Sequence, residues 1–214
     1  PEIIMVYSSD GINGMSQTFH NIFNNNIIRG KYKNRSRSVL INNWEATYFD
    51  FDEEKILSLA RKAKALGVEM FVLDDGWFGT RNDDFQGLGD WYVNMEKLPN
   101  GISGLSKKIN DLGMKFGLWF EPEMANKNSD LYRAHPDWIL SAPGRYDTSS
   151  RNQHVLDFSR SEVVDYIYES VSKILRDANI EYIKWDMNRC MTEVFSHTKE
   201  SKNQKEVAHR YILG

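Results

Sequence analysis

The sequence predicts an α/β fold of the (β/α)8 TIM-barrel type, in which only about the first half of the barrel is present. Almost wholly apolar strands alternate with amphipathic helices, which is typical of parallel strands covered on both faces. No Gly-rich phosphate loop follows any strand, which disfavours the alternative of a doubly wound nucleotide-binding sheet. Polar and aromatic residues gather where strands end, as in barrels, and the 214 residues hold roughly half the strands of a barrel of about 250 residues.

The individual elements follow from short apolar runs and from the residues that end helices. Strands are predicted at 39–44, 69–73, 115–120 and 181–185, with a strand-like piece at 154–158 inside a long loop, 124–160. Helices are predicted at 52–66, 104–112 and 161–178. Acidic residues in the first turn of the first helix, and Gly67 directly after its last turn, suit the helix dipole and a left-handed cap.

The first 38 residues differ from the rest of the chain. Residues 3–7 are predicted to form a short strand and residues 11–14 a turn. Residues 21–37 are rich in Asn, Arg and Lys and contain no extended helical stripe. We therefore interpret residues 1–38 as a connector into a domain, with a basic binding tail as the less favoured alternative.

Composition disfavours several classes of partner. The formal net charge is −3 with both signs interspersed, so nucleic acid is not an expected partner. No apolar run approaches the roughly 20 residues of a membrane span, so we expect no membrane insertion. The single cysteine, Cys190, rules out an internal disulfide framework and favours a cytoplasmic location, although the start at Pro1 rather than Met leaves export open.

Carboxylates and aromatic rings follow four successive predicted strands. The four groups are Trp44 with Glu45, Asp74 and Asp75 with Trp77, Trp119 with Glu121 and Glu123, and Lys184 with Asp186 and Asn188. A single Asp after a strand is usually a helix cap or turn residue, but repetition at equivalent positions favours a binding site. Carboxylates and a lysine facing one cavity can hold sugar hydroxyls, while tryptophan provides an apolar wall.

Asp186 is the strongest candidate for a nucleophile in this set. Lys184 and Asp186 are two residues apart at the end of one strand, so their side chains point to the same face. A carboxylate beside a cation keeps a low pKa and stays ionised, which attack on an anomeric carbon requires. The alternative is a purely structural ion pair.

The order of the motifs resembles that of the α-galactosidases of glycoside hydrolase family 36. The resemblance extends over about residues 38–190. Its motifs are Ile-Asn-Asn-Trp-Glu-Ala at 41–46, Leu-Asp-Asp-Gly-Trp at 73–77, Gly-Leu-Trp-Phe-Glu-Pro-Glu-Met at 117–124, His-Pro-Asp-Trp at 135–138, Ser-Arg-Asn-Gln at 150–153 and Ile-Lys-Trp-Asp-Met-Asn at 183–188. Each motif alone is modest, whereas the ordered series is highly specific.

This resemblance implies a retaining α-galactosidase that hydrolyses terminal α-galactosides of the melibiose or raffinose type, with Asp186 carrying the galactosyl-enzyme intermediate. Asp74 and Asp75 would bind the galactose 4- and 6-hydroxyls, where the axial O4 separates galactose from glucose. The other substrate-binding residues that it implies are Trp44, Trp119, Arg151, Lys184 and Asn188.

The resemblance also implies a domain division. Residues 1–38 would be the end of an N-terminal β-domain and a linker, and residues 39–214 the N-terminal half of a catalytic barrel. We expect no metal or other cofactor, and we expect a homo-oligomer of the full-length protein.

One part of the family pattern is missing. The family's general acid/base is an Asp on a later strand, past a Cys-Ser-Gly-Gly-like segment, whereas residues 189–193 lack the glycines and Glu193 falls too soon. A retaining mechanism needs two carboxyls about 5–5.5 Å apart, one of them protonated. We therefore predict that the acid/base lies outside this chain and that the chain alone is inactive. Glu121 and Glu123 are interpreted as groups that fix loops.

Three alternatives stay open at this point. A galactosyl transferase of the raffinose-synthase type would use the same nucleophile with a sugar as acceptor. A metal-dependent enolase-like barrel enzyme would hold Mg²⁺ through Asp75, Glu121 or Glu123, and Asp186, although the aromatic neighbours and Lys184 disfavour it. The third alternative is a non-catalytic half barrel that binds galactosides weakly or does not fold alone.

Overall fold

The structure is a computed structural model that describes residues 3–146, 148 and 150–214. The chain divides into two compact units, the first ending at Val39 and the second running from Leu40 to Gly214.

The first unit is helical where it is regular. Helix α1 spans Gly11–Ile22 and is followed by a π-helical turn, Phe23–Ile27, and a 3-10 turn, Gly30–Tyr32. The predicted strand at 3–7 and the predicted turn at 11–14 are therefore wrong. A short apolar run forms a strand only with a pairing partner, and apolar residues at helical spacing from Ile12 onward favour a helix instead. The β-domain expected at 1–38 stays a prediction.

The second unit alternates strands and helices. In chain order its elements are β1 (Leu40–Asn42), α2 (Trp44–Thr47), α3 (Glu53–Ala65), β2 (Met70–Leu73), α4 (Gly101–Asp111), β3 (Lys115–Phe120), β4 (Met124–Ala125), α5 (Asp130–Ala134), β5 (His154–Val155), α6 (Ser161–Asp177), β6 (Tyr182–Trp185) and α7 (Val207–Leu213). Two 3-10 turns lie at Pro136–Trp138 and Ser201–Glu206.

Four strands form one parallel sheet in the order β1-β2-β3-β6. Helices α3, α4 and α6 each lie in a connection between neighbouring strands, as the alternating pattern predicted. Because all four strands run in one direction, their carboxyl ends meet at the same edge of the sheet. The residues that follow these ends are the strand-end groups singled out in the sequence.

The inner and outer strands differ in exposure. All four residues of β2 are buried, and so are all residues of β3 after its first. On the outer strands, Leu40 and Ile41 of β1 are 42% and 37% exposed, and Ile183 and Trp185 of β6 are 38% and 52% exposed. This distribution fits neighbouring strands of a barrel, in which every strand has a partner on each side.

The starts of α3 and α4 and the end of β1 differ from their predicted positions by one to three residues. Asp52 caps α3 by accepting a hydrogen bond from the backbone N–H of Lys55 at 2.8 Å. The strand predicted at 39–44 stops at Asn42, because Asn42 Oδ1 accepts the backbone N–H of Trp44 at 2.8 Å and starts α2. Helix α4 begins at Gly101, three residues earlier than predicted.

An aromatic cluster lies below the carboxyl ends of β2 and β3. Trp77 Nε1 donates to the backbone carbonyl of Trp119 at 3.0 Å, and the ring of Phe78 stacks on Trp119 with centroids 6.1 Å apart. Trp91 and Phe120 pack into the same group at 5.5 Å. All five residues are at most 5% exposed, so the cluster is a close-packed base for the strand ends.

The long segment between β3 and α6 is mostly loop, as predicted. Within it, β4 and β5 pair antiparallel, and β5 is shorter than the strand-like piece predicted at 154–158. Helix α7 was not predicted; it follows the charged run 199–205 and buries Val207 and Tyr211. Across residues 3–146, 148 and 150–214, no helix combines the length and the apolar character needed to cross a lipid bilayer.

Candidate active site

A polar cavity of about 210 Å³ lies at the carboxyl ends of the parallel strands. It is lined by Trp44, Asp74, Asp75, Trp119, Glu121, Arg151, Lys184, Asp186 and Asn188. This set contains all eight site residues predicted from the sequence, with Glu121 as the ninth. Residues from four strand ends and from one loop therefore meet in a single cavity.

Asp74 is held by groups from the ends of β1 and β6. Its backbone N–H donates to Asn43 Oδ1 at 2.8 Å, and its Oδ2 accepts from Lys184 Nζ at 2.8 Å and from Asn42 Nδ2. Its Oδ1 accepts the backbone N–H of Asp75 at 2.9 Å. The carboxylate is thus fixed in one orientation, with its residue only 3% exposed.

Asp75 forms a buried bidentate ion pair with Arg81. Arg81 Nε lies 3.0 Å from Oδ1 and an Nη lies 2.8 Å from Oδ2, and the Arg81 side chain is 1% exposed. Burial raises the pKa of Asp75, while the guanidinium acts in the opposite direction. Gly76 permits this turn, because its φ is +101° and an added Cβ would lie 3.0 Å from the Phe49 ring.

Asp186 continues the ladder between β3 and β6. Its backbone N–H donates to the Phe120 carbonyl at 2.8 Å, its Oδ2 accepts from Trp119 Nε1 at 3.0 Å, and its Oδ1 accepts the Met187 N–H at 3.0 Å. Burial acts to raise the pKa of Asp186, but hydrogen bonds from Trp119 and Asn188, the charge of Lys184 and the Met187 N–H together lower it. The carboxylate is therefore ionised at neutral pH.

Lys184 binds Asp74 more closely than Asp186. Its Nζ is 2.8 Å from Asp74 Oδ2 and 3.9 Å from Asp186 Oδ2. The sequence interpretation paired Lys184 with Asp186, and the two do face the same cavity. The indole N–H of Trp119, at 3.0 Å, is closer to Asp186 than the lysine is, and nothing in the sequence favoured Trp119 over Lys184 as its partner.

The two glutamates after β3 fix loops rather than point freely into the cavity. Glu121 accepts the Asn188 backbone N–H at 2.5 Å and Gln153 Nε2 at 3.0 Å. Glu123 accepts Trp185 Nε1 at 2.9 Å and the hydroxyl of Tyr211. Burial raises the pKa of Glu121; the Asn188 N–H opposes the rise, and the charges of Asp186 and Asp75 add to it.

Trp44, Trp119 and Arg151 border the cavity in different ways. Trp119 is 2% exposed, while Trp44 is half-buried and packs edge-on against the rings of Tyr48 and Phe49 at 5.2 and 5.0 Å. The Arg151 side chain is 46% exposed on the cavity rim. Trp44 is therefore the more accessible of the two predicted aromatic walls.

Three residues of this arrangement were missed in the sequence. Asn42 and Asn43 lie inside the motif at 41–46, and their position at a strand end was a usable signal. Arg81 lies in a loop six residues after Asp75 and belongs to no motif, so only its buried contact with Asp75 identifies it.

The described residues do not form a metal-binding group. No three of their His, Cys, Asp and Glu side chains come together as a set of ligands. Instead, Asp75 and Glu121 are already bound to Arg81, Gln153 and the Asn188 N–H. This arrangement favours a site that binds hydroxyl groups over the enolase-like alternative.

The cavity combines the parts that sugar chemistry requires. An ionised carboxylate, a cation and oriented polar groups lie beside an indole ring in a space of about 210 Å³. Asp74, Asp75 and Glu121 are each engaged by cations or N–H donors. The prediction that the general acid/base lies elsewhere in the full-length protein stays a prediction.

Comparisons with known proteins extend over the whole chain. The melibiase family model matches residues 1–214. The α-galactosidase AgaA of Geobacillus stearothermophilus is 58% identical over 214 residues, which are 100% of this chain and 29% of that protein. The α-galactosidase Mel36A of Lactobacillus acidophilus is 52% identical with the same coverage of both chains. The chain thus spans less than a third of the length of these relatives.

Solved structures give the same result. The crystal structure of the family 36 α-galactosidase AgaA superposes with a TM-score of 0.94 at 58% identity, covering 98% of this chain and 29% of that one. A variant of AgaA in complex with raffinose superposes with a TM-score of 0.94 at 57% identity, over 97% and 29% of the two chains. The parallel sheet and its helices are part of a (β/α)8 barrel, as predicted. The chain belongs to the melibiase family, among the α-galactosidases of glycoside hydrolase family 36.

Proposed function

We propose that the protein containing this chain is a retaining α-galactosidase that hydrolyses terminal α-galactosides through a galactosyl-enzyme intermediate on Asp186. The observation that carries the proposal is the setting of Asp186, an ionised carboxylate at a strand end that faces a small polar cavity. Family membership supports the same activity, since the relatives are named as α-galactosidases.

The reaction would proceed in two displacements. In the first, an Asp186 oxygen forms a bond to the anomeric carbon while the glycosidic C–O bond breaks and the leaving oxygen takes a proton from the general acid. In the second, water attacks the same carbon while the bond between that carbon and Asp186 breaks; the water gives its proton to the conjugate base of the general acid, and α-galactose is released. The low pKa of Asp186 favours the first step, because the attacking group must be ionised.

The substrate class that we propose is the terminal α-galactosides of the melibiose and raffinose type. AgaA has been crystallised in complex with raffinose and, as another variant, with stachyose. In this chain, Asp74 and Asp75 would accept hydrogen bonds from galactose hydroxyls, and the half-buried Trp44 would contact the apolar face of the sugar. Polar groups that are already oriented bind hydroxyls without further reorganisation.

The test uses the full-length protein that contains these 214 residues, with p-nitrophenyl α-galactoside as substrate. Asp186→Ala is expected to abolish turnover, and added azide should restore release of nitrophenol from this variant, with β-galactosyl azide as the product. Asp177→Ala, which changes an exposed aspartate at the end of α6, is the matched control and should retain the wild-type rate.

Three results would contradict the proposal. A wild-type rate in Asp186→Ala would exclude it as the nucleophile. Initial release of β-galactose by the unmodified protein, followed by NMR, would exclude retention. Transfer of galactose to an added sugar in preference to water would point to the transferase instead.

A further inference from the structure

The turn that carries Arg151 has an unusual backbone. Arg151 and Asn152 are consecutive, and both adopt left-handed conformations with φ of 52° and 59°. Residues other than glycine adopt this region rarely, and Asn tolerates it better than Arg. Within the turn, the Gln153 N–H donates to the Ser150 carbonyl at 3.0 Å. Such a turn keeps this shape only if the surrounding structure holds it.

Asn126, the residue directly after β4, stabilises this turn through hydrogen bonds. It is 0% exposed, and its Nδ2 donates to the Asn152 carbonyl at 2.8 Å and to the Asp84 carbonyl at 3.2 Å. Its Oδ1 accepts from Arg81 Nη1 at 3.0 Å and from the Leu88 N–H at 2.9 Å. The two donor and two acceptor positions of the amide are all used, so its orientation is fully determined.

The same Arg81 guanidinium binds Asp75. One chain of hydrogen bonds therefore leads from Asp75 through Arg81 and Asn126 to the backbone of the turn that carries Arg151. Asp84 adds a looser link, with its Oδ1 at 3.6 Å from Arg81 and 3.8 Å from Arg151. The two residues that this series of hydrogen bonds connects, Asp75 and Arg151, both line the cavity.

We propose that Asn126 is a positioning residue that couples Asp75 to Arg151, so that the positions of these two side chains in the cavity depend on each other. The identity of that substrate rests on the proposed function, whereas the coupling itself does not. In a buried network with every polar group satisfied, a change at one member leaves its neighbours unpaired and shifts them. Disturbing Asn126 should therefore move Arg151, although the two side chains share no hydrogen bond in the structure.

The test variant is Asn126→Asp in the full-length protein. It keeps an acceptor for Arg81 and for the Leu88 N–H, but it replaces the donor to the Asn152 carbonyl by an oxygen that repels it. The matched control is Asn128→Asp, two residues further along. Asn128 is exposed, and its Oδ1 accepts from Arg133 at 3.0 Å, a bond that the aspartate retains.

The first readout does not depend on activity. Native-state trypsin cleavage after Arg151, followed by mass spectrometry, should be about threefold to tenfold faster in Asn126→Asp than in wild type, the effect of losing one buried hydrogen bond. Asn128→Asp should match wild type. Arg81→Lys keeps the charge but loses the Asn126 contact, so it should also speed this cleavage. It replaces Asn126→Asp as the test variant if Asn126→Asp does not fold. Unchanged cleavage in the folded variants would overturn the coupling.

The second readout is kinetic. Asn126→Asp should raise KM, with kcat within about twofold of wild type, because misplaced binding groups weaken ground state and transition state alike. A merely less folded protein would instead lose kcat at unchanged KM. Arg151→Ala should cost about fivefold less in kcat/KM in the Asn126→Asp background than in wild type, since coupled positions are not additive.

The two readouts separate the proposals. Faster cleavage after Arg151 in a protein that turns over no α-galactoside would leave the coupling standing and remove the proposed function. If the enzyme is active, but the effects of Asn126→Asp and Arg151→Ala are additive and the cleavage rate is unchanged, the proposed function stands and the coupling is wrong.

Discussion

Trp119 donates its indole N–H to Oδ2 of Asp186 over 3.0 Å, from the strand next to the one that Asp186 ends. Trp119 is 2% exposed and packs in the aromatic cluster with Phe78 and Trp91, so this donor is held rigidly. A buried, fixed donor stabilises the ionised carboxylate without reorganisation. The proposed nucleophile is therefore oriented by an aromatic residue, while the nearby lysine is bound to Asp74.

Replacing Trp119 by phenylalanine should raise the pKa of Asp186, because the indole N–H is one of the groups that lower it. The acidic limb of the kcat/KM profile against pH should move to higher pH. At neutral pH we expect kcat/KM to fall about tenfold to a hundredfold, as for loss of a hydrogen bond to a charged group. Steady-state kinetics from pH 4 to 8 measure both effects.

The matched control is Trp91→Phe in the same cluster. Trp91 is also buried, its ring centroid is 6.2 Å from that of Trp119, and its Nε1 has no hydrogen-bond partner among the described residues. It should lose packing without moving the acidic limb. An equal pH shift in both variants would mean that the indole N–H of Trp119 does not act on Asp186.

Replacing Lys184 by methionine removes the cation that lies between Asp74 and Asp186. Asp74 loses its 2.8 Å partner, and Asp186 loses a charge that lowers its pKa. We expect KM to rise and the acidic limb to move to higher pH, with kcat/KM lowered about a hundredfold by the unpaired carboxylate. Lys107→Met, which removes an exposed lysine paired with Asp111, is the control and should leave both quantities unchanged.

The βα units of the barrel could be predicted because their signals are local. Apolar runs such as residues 115–120 and caps such as Asp52 depend on nearby residues only. The first unit could not be predicted in this way. Gly11 and Gly14 suggested a turn, yet the apolar spacing that follows them continues as a helix.

The candidate site could be predicted for a different reason. Parallel strands bring their carboxyl ends to one edge, so residues such as Asp74 and Asp186, far apart in sequence, meet there. The groups that orient Asp75 could not be found from the sequence alone. Arg81 and Asn126 are 45 residues apart and in no shared motif, and only the folded loops bring them into contact.

Glu121→Gln should loosen the loop that follows Asp186. Glu121 accepts two N–H donors, from Asn188 and from Gln153, and an amide in its place must turn its NH2 group toward one of them. Because Asn188 also donates to Asp186, we expect kcat/KM to fall about tenfold, the loss of one buried hydrogen bond, with raised KM. Glu162→Gln at the exposed start of α6 is the control, and equal kinetics in both would contradict this role.

The buried pair of Arg81 and Asp75 should control stability in a pH-dependent way. Arg81→Met leaves Asp75 buried without its cation, and the free energy of unfolding at pH 7 should fall by about 3–5 kcal/mol. Burial already raises the pKa of Asp75, and loss of Arg81 should raise it further. A carboxyl whose folded pKa exceeds its unfolded value destabilises the fold as pH rises through that folded pKa, whereas the protonated form at low pH does not.

The destabilisation by Arg81→Met should therefore be smaller at pH 4.5 than at pH 7.5. Urea unfolding of the full-length protein and the variant at both values measures the difference. The control, Arg133→Met, removes an exposed arginine paired with Asp130, and its free energy of unfolding should equal that of wild type at both pH values. If Arg81→Met lowers the free energy of unfolding equally at the two pH values, the loss comes from packing of the arginine stem and not from the charge left on Asp75.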